Sequence, residues 1–187
     1  MVCQLLNTIT NAKIYILVVF GAIRILKNHL AQAIAAIEFA DLKDCKLHFH
    51  INSTRIEGST SDNVLRNLRA LFAIRNDHEL IEHDWMDTDT FLEVIKGIDI
   101  GMQVSFTETF NMVTADLITS GIPVVGSESI FWLSQNAQVD DETNTTTMVK
   151  ALERVDRFRK VTVMSSFDNL VNVCDLAKKQ WFRALVS

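Results

Sequence analysis

Ser105–Ser127 reads SFTETFNMVTADLITSGIPVVGS, and its punctuation decides how the whole 187-residue chain is read. Ser105–Asn111 is a polar loop opening into a helix. Asn111–Ser120 is that helix, which Gly121 ends as its C′ residue, because glycine takes a left-handed backbone without a Cβ penalty. Pro123 then opens a strand through Val125, at a position that tolerates a missing amide donor. Asp99–Val104, just upstream, is another apolar strand. Strand, loop, helix, glycine and strand in this order form a parallel crossover.

The same alternation extends outward. Lys13–Phe20 is rich in β-branched and aromatic residues and stops at Gly21, as a strand buried on both faces does. From Asn28, Leu30, Ala33, Ile34, Ile37 and Ala40 recur at spacings of three and four, which predicts an amphipathic helix. Lys46–Asn52 repeats the strand pattern. Ser61–Ala73 repeats the helix, with Ser61 or Asp62 as its cap. Glu79–His83 is a third strand, and Asp89–Lys96 a short helix with Asp87 and Asp89 at the positive end of its dipole. The polar stretch Glu142–Thr147 precedes two helices, Met148–Arg159 and Phe167–Leu185. The expected fold is therefore α/β, a doubly wound parallel sheet in three αβα layers. One domain is expected over residues 1–187, with a core over about 12–160 and a terminal helix over about 166–186; only the polar run Asp140–Thr147 could serve as a linker.

Composition narrows the function. Hydrophobic residues at 48% and charged residues at 22% suit a globular chain with a proper core. A net charge of −5 and a pI near 5.5 offer no basic field to neutralise phosphate backbones, so no nucleic-acid partner is expected. Cys3, Cys45 and Cys174 lie far apart with no CxxC spacing, which predicts neither a disulfide framework nor a zinc site and fits a reducing cytoplasm. The most apolar stretch, Ile14–Phe20, is far short of the roughly 20 residues that span a bilayer, and the amino terminus lacks the layout of a secretory signal.

In open α/β sheets ligands bind at the carboxyl ends of the strands, so chemistry is sought in the loops there. After the first strand come Gly21, Arg24, Lys27 and Asn28, a glycine turn carrying two cations to a helix start, a setting for a diphosphate. After the fourth come Ser105, Thr107, Glu108, Thr109 and Asn111, also opening into a helix. Two helix starts would face one ligand.

Glu108, a seven-residue spacer and Asp116, followed by Ser120-Gly121-Ile122-Pro123-Val124-Val125, resemble the EX7E motif and G-x-P-V-V element of retaining GT-B glycosyltransferases. The similarity covers roughly Tyr15–Leu133. It implies a Rossmann-like half-domain, the carboxy-terminal one that binds a nucleoside-diphosphate sugar such as a UDP or GDP sugar. Carried over, Glu108 is the catalytic-site acid near the donor sugar, Asp116 holds the ribose hydroxyls, and the backbone from Thr107 through Thr109, Asn111 and Met112 cradles the diphosphate. Gly21 and Lys27 resemble the family's glycine and phosphate-binding lysine. Arg24 stands in for an arginine usually found at the position of Ala22. The base would lie near His83, Asp84, Trp85 and Met86, with Trp85 as its contact. Glycines are common in the family where Thr109 and Asn111 stand, and glutamate where Asp116 stands.

The resemblance implies no metal and no cofactor beyond the sugar nucleotide as substrate. It also implies an acceptor-binding half on a missing amino-terminal domain or a partner chain, and it is compatible with peripheral membrane attachment of a longer enzyme. A non-catalytic nucleotide- or sugar-binding module that keeps the fold is the alternative, with a sugar-nucleotide epimerase of the same architecture ranked last.

His48 and His50 share one face of a strand but have no evident third ligand, so they are read as structural, as are His78 and His83. Cys45 is expected to be buried. The helix Phe167–Leu185 has a broad apolar face that either packs on its own sheet or docks a missing domain.

Overall fold

The computed structural model describes residues 13–58 and 61–186; Cys3, and with it the first dozen residues, lies outside them. Six strands, β1 (Ile14–Val19), β2 (Lys46–Asn52), β3 (His78–His83), β4 (Ile100–Gln103), β5 (Val124–Ser127) and β6 (Gln138–Val139), form one parallel sheet in the order β3-β2-β1-β4-β5-β6. The order reverses between β1 and β4, which leaves a crevice beyond their carboxyl ends. The helices are α1 (His29–Leu42), α2 (Ser61–Ala73), α3 (Thr88–Ile95), α4 (Met112–Thr119), α5 (Thr145–Arg157) and α6 (Arg159–Val186). α1 packs against α2 and α5 in one layer, while α4 packs against α6 in the other.

The core follows from the strand pattern. Leu17, Val18 and Val19 of β1, Leu47, Phe49 and Ile51 of β2, and Val124 and Val125 of β5 are all buried. Fully burying such side chains contributes roughly 1.5–3 kcal/mol each before chain entropy is counted. On the α1 side, Ala33, Ala36 and Ala40 let the helix lie close to the sheet, and Phe39 meets Tyr15 edge-on at 5.2 Å. α4 closes in a Schellman turn, with Gly121 at φ +80 donating to Ile118 O and Ile122 donating to Leu117 O at 2.9 Å. This turn delivers Pro123 directly into β5.

At the amino-terminal edge of the sheet, Tyr15 Oη donates to Asp156 at 2.9 Å. Arg159 bridges Asp156 at 2.7 Å and Asp99 at 3.2 Å, tying the junction of α5 and α6 to β1 and β4.

The carboxy-terminal quarter departs from expectation. The run Asp140–Thr147 is no free linker: α5 begins at Thr145, Asn144 caps it by accepting from Thr146 N, and Glu142 O accepts from Asn28 Nδ2 at 2.7 Å. β6 lacked a readable pattern because it has only two residues. α6 starts at Arg159, well before Phe167. Its first part buries Thr162, Ser166 and Leu170, whereas Trp181, Phe182 and Leu185 are exposed, so the apolar face of the last helix does not pack on its own sheet beyond Val173. Cys45 is half-buried. No helix among the described residues is long and apolar enough to cross a membrane.

Candidate functional site

β1 runs out through Phe20 into Gly21, whose φ of +120 is open to glycine and strained for other residues. The Gly21 amide donates to Asn52 Oδ1 at 3.0 Å, and Asn52 Nδ2 donates to Asp84 O at 3.1 Å, so one buried asparagine joins the ends of β1, β2 and β3. Ile23 bridges to Ile56, and Ile25–Lys27 forms a single 3-10 turn. Asn28 then reverses the backbone at φ 54 as the N-cap of α1, with no side-chain cap bond. The turn brings the Lys27 ammonium over Gly21: a Cβ placed there would lie 3.6 Å from Lys27 Cε.

The loop after β4 meets that turn from the other side. Phe106 N donates to Leu26 O at 3.0 Å. Lys27 Nζ donates to Glu108 Oε1 at 2.5 Å and to Gln103 Oε1 at 3.2 Å, and both partners of the ion pair are almost wholly buried. Gln103, the last residue of β4, also donates to Phe20 O at 2.9 Å and accepts from Asn111 Nδ2 at 3.1 Å. Gln32 adds a second tie, donating to Lys27 O at 2.7 Å and accepting from Val104 N at 2.9 Å. In a low-dielectric interior such a satisfied network holds its members in one arrangement.

Asn111 starts α4 at φ 56, its Oδ1 accepting from Thr114 N at 3.0 Å. Asparagine enters the left-handed region more readily than most residues, so the backbone turn needs no glycine here. Asp116, in the second turn of α4, faces a cleft of about 160 Å³ lined by Phe20, Gly21, Asn52, Trp85 and Phe91 among others. Partial burial raises the Asp116 carboxyl above the usual carboxylate range. Trp85 is half exposed at the rim, with the Arg55 guanidinium 4.6 Å from its ring and its amide bonded to Thr54 Oγ1 at 2.9 Å.

The residues singled out from the sequence therefore divide. Gly21, Trp85 and Asp116 line the cleft, and Lys27 and Glu108 meet beside it. Thr107, Thr109 and Met112 lie exposed along the loop and the first turn of α4, without a common centre. Asn111 spends its side chain inside the protein. Arg24 is half-buried, its Nε has no partner among the described residues, and it joins neither the ion pair nor the cleft lining. Its charge acts on His29, the first residue of α1. His29 is buried, and desolvation, then Lys27, lowers its pKa to about 3.

Sequence reading missed Asn52, Gln103 and Gln32. The signal was present for Gln103, a polar residue closing an otherwise apolar strand, and weaker for Asn52, whose strand also carries Lys46, His48 and His50. Gln32 looks like any polar residue on a helix until the fold buries it. The histidines bond to one another and to neighbouring chain. His83 and His50 share a ring-to-ring hydrogen bond of 2.9 Å, and His78 accepts from Leu47 N at 3.2 Å while facing Asp41 at 3.0 Å. Asp41, Asp77 and His78 converge, but Arg75 already bonds Asp41 there at 2.6 Å.

No family model and no curated protein sequence matches the chain. Solved structures do. A trehalose-6-phosphate protein from E. coli bound with UDP-2-fluoro glucose superposes with a TM-score of 0.64 at 12% identity, covering 87% of this chain and 41% of that one. Sucrose-phosphate synthase from Thermosynechococcus elongatus gives 0.67 at 14%, covering 94% and 46%. The C-terminal domain of a glycosyl transferase group 1 family protein from Francisella tularensis gives 0.68 at 15%, covering 84% of this chain and 85% of that domain. The fold is that of one GT-B half-domain. The chain spans less than half the length of the first two proteins and most of the third.

Proposed function

We propose that the chain binds the nucleoside-diphosphate end of a sugar nucleotide in this cleft, as the donor-binding half of a GT-B glycosyltransferase. The observation that carries the reading is the meeting of the β1 and β4 loops where the strand order reverses: Lys27 lies over Gly21 and Asp116 faces the same crevice. Lys27 and the α1 amides, which the Asn28 side chain does not cap, would hold the diphosphate. Asp116 would accept from the ribose hydroxyls, Trp85 would cover the base, and Glu108 would lie toward the sugar. During transfer, negative charge grows on the departing diphosphate, and a fixed ammonium beside oriented amides stabilises that charge without reorganising. The acceptor, and the groups that activate it, would belong to another domain or chain. The UDP sugar bound by the E. coli protein of the same fold favours a donor of this chemistry.

Calorimetry with UDP and GDP tests the reading. Wild-type protein is expected to bind at least one of them, Lys27→Met to lose about tenfold or more, and Asp116→Asn to weaken UDP or GDP but not inorganic pyrophosphate. Absence of binding by either nucleotide overturns it. The internal use of Asn111 and the Lys27–Glu108 pair favour a second reading, a binding module without transfer. Under that reading a bound sugar nucleotide is never hydrolysed, even with an acceptor half supplied in trans.

A further inference from the structure

We infer that Glu108 is the resident counter-ion of the phosphate site, and that a diphosphate enters by displacing the Glu108 carboxylate from Lys27. The inference rests on the nucleotide-binding reading above and adds a mechanism of entry and of anion selection to it.

The two partners are held unequally. Lys27 is clamped: its amide donates to Arg24 O at 3.0 Å, its carbonyl accepts from Gln32, and its ammonium also reaches Gln103. Glu108 sits in a stretch without helix or strand, anchored through Phe106 before it and through Asn111 and Phe110 after it, where Trp132 Nε1 donates to Phe110 O at 2.7 Å, with exposed Thr107 and Thr109 on either side. Swinging the glutamate away disturbs less than moving the lysine. Glu108 bonds no other cation among the described residues, so its place on Lys27 is that of any anion small enough to reach the ammonium.

Breaking a buried pair by removing one partner is costly, because it strands an uncompensated charge. Lys27 can therefore release Glu108 only to another anion. A singly charged ligand would at best replace one negative charge with an equal one, while a diphosphate brings more charge and more acceptor oxygens than the carboxylate it displaces. Glu108 thus acts as an internal competitor that screens out weak anions. Once displaced, its carboxylate is released on the loop beside the phosphate, free to accept from sugar hydroxyls.

The discriminating experiment measures inorganic pyrophosphate and UDP binding, by calorimetry, to wild type, Glu108→Gln and Lys27→Met, with thermal unfolding followed on each. Glu108→Gln keeps the shape but removes the competing charge. It is expected to bind both ligands about tenfold tighter than wild type, while Lys27→Met binds neither. A purely sugar-facing glutamate would leave pyrophosphate affinity unchanged, and a purely structural pair would weaken it, so equal or weaker binding overturns the inference while leaving the nucleotide site intact. If neither wild type nor Glu108→Gln binds pyrophosphate, UDP or GDP, the site itself falls. Glu108→Asp, whose carboxylate is one methylene shorter, is expected to fall between the two. It decides the matter if the glutamine variant does not fold, and failure of both to fold makes the pair a structural prop and overturns the inference.

Discussion

α1 and α4 both begin at an asparagine in the left-handed region, Asn28 at φ 54 and Asn111 at φ 56, yet the two helix starts do opposite things. Asn111 turns its side chain inward, capping Thr114 N and bonding Gln103, so the start of α4 is closed by its own chain. Asn28 sends its amide outward to Glu142 O and leaves the first amides of α1 without a side-chain cap. Behind it sits the buried imidazole of His29. Identical residues with near-identical φ therefore build one helix start capped by its own asparagine and one whose asparagine turns away, beside a lysine. On the proposed reading, the difference makes α1 the end that would hold the anion and α4 the support that carries Asp116.

The largest effect is expected from cutting the tie between the two starts. Gln103→Leu leaves the Lys27 ammonium, the Asn111 amide and the Phe20 carbonyl each short of a buried partner, and should cost about 3 kcal/mol in urea unfolding. A cost below about 1 kcal/mol would mean the loops are held elsewhere. Next comes the cap of α4. Asn111→Ala loses both the Thr114 bond and the residue's ease at positive φ, and about 2 kcal/mol is expected. Asn111→Gly keeps the conformation and should cost less than the alanine variant. If the two are equal, the backbone conformation does not matter there.

The smallest effect at neutral pH concerns the α1 start. A free imidazole titrates near 6.5, and that of His29 near 3, so as pH falls below about 6.5 the unfolded chain takes up a proton that the folded chain refuses. Stability is unaffected by His29 above that pH and is lost below it, with a slope approaching about 1.4 kcal/mol per pH unit down to about pH 3. His29→Leu should remove that part of the slope while changing little at pH 7.5. Urea unfolding of both proteins at pH 7.5 and 5 checks this, and parallel pH profiles would show that the imidazole is not buried as described.

Periodicity and punctuation carried most of the architecture. β2 and α2 match their expected bounds, and Gly121 with Pro123 ended α4 and opened β5 where expected, because glycine's tolerance of positive φ and proline's missing donor are local properties. The spacing of Glu108 and Asp116 was equally legible, as a motif on a loop and a helix. Weak or absent local signals account for the failures: β6 is two residues long, and the length of α6 is set where α5 ends and Arg159 reaches Asp99 and Asp156.

By itself, then, the sequence determined the alternation of strands and helices and the residue types gathered at the sheet's carboxyl edge, since both depend on neighbours a few positions apart. Only the tertiary structure decided which of those residues meet. Lys27 and Glu108 are 81 positions apart, Gln103 and Phe20 83, and Gln32 and Val104 72, so whether a lysine is free or paired and whether a glutamine is solvated or buried depends on long-range packing. Asn28 and Asn111 are the clearest case, because no local pattern distinguishes them. What separates them is the desolvated glutamine that one of them reaches and the other does not.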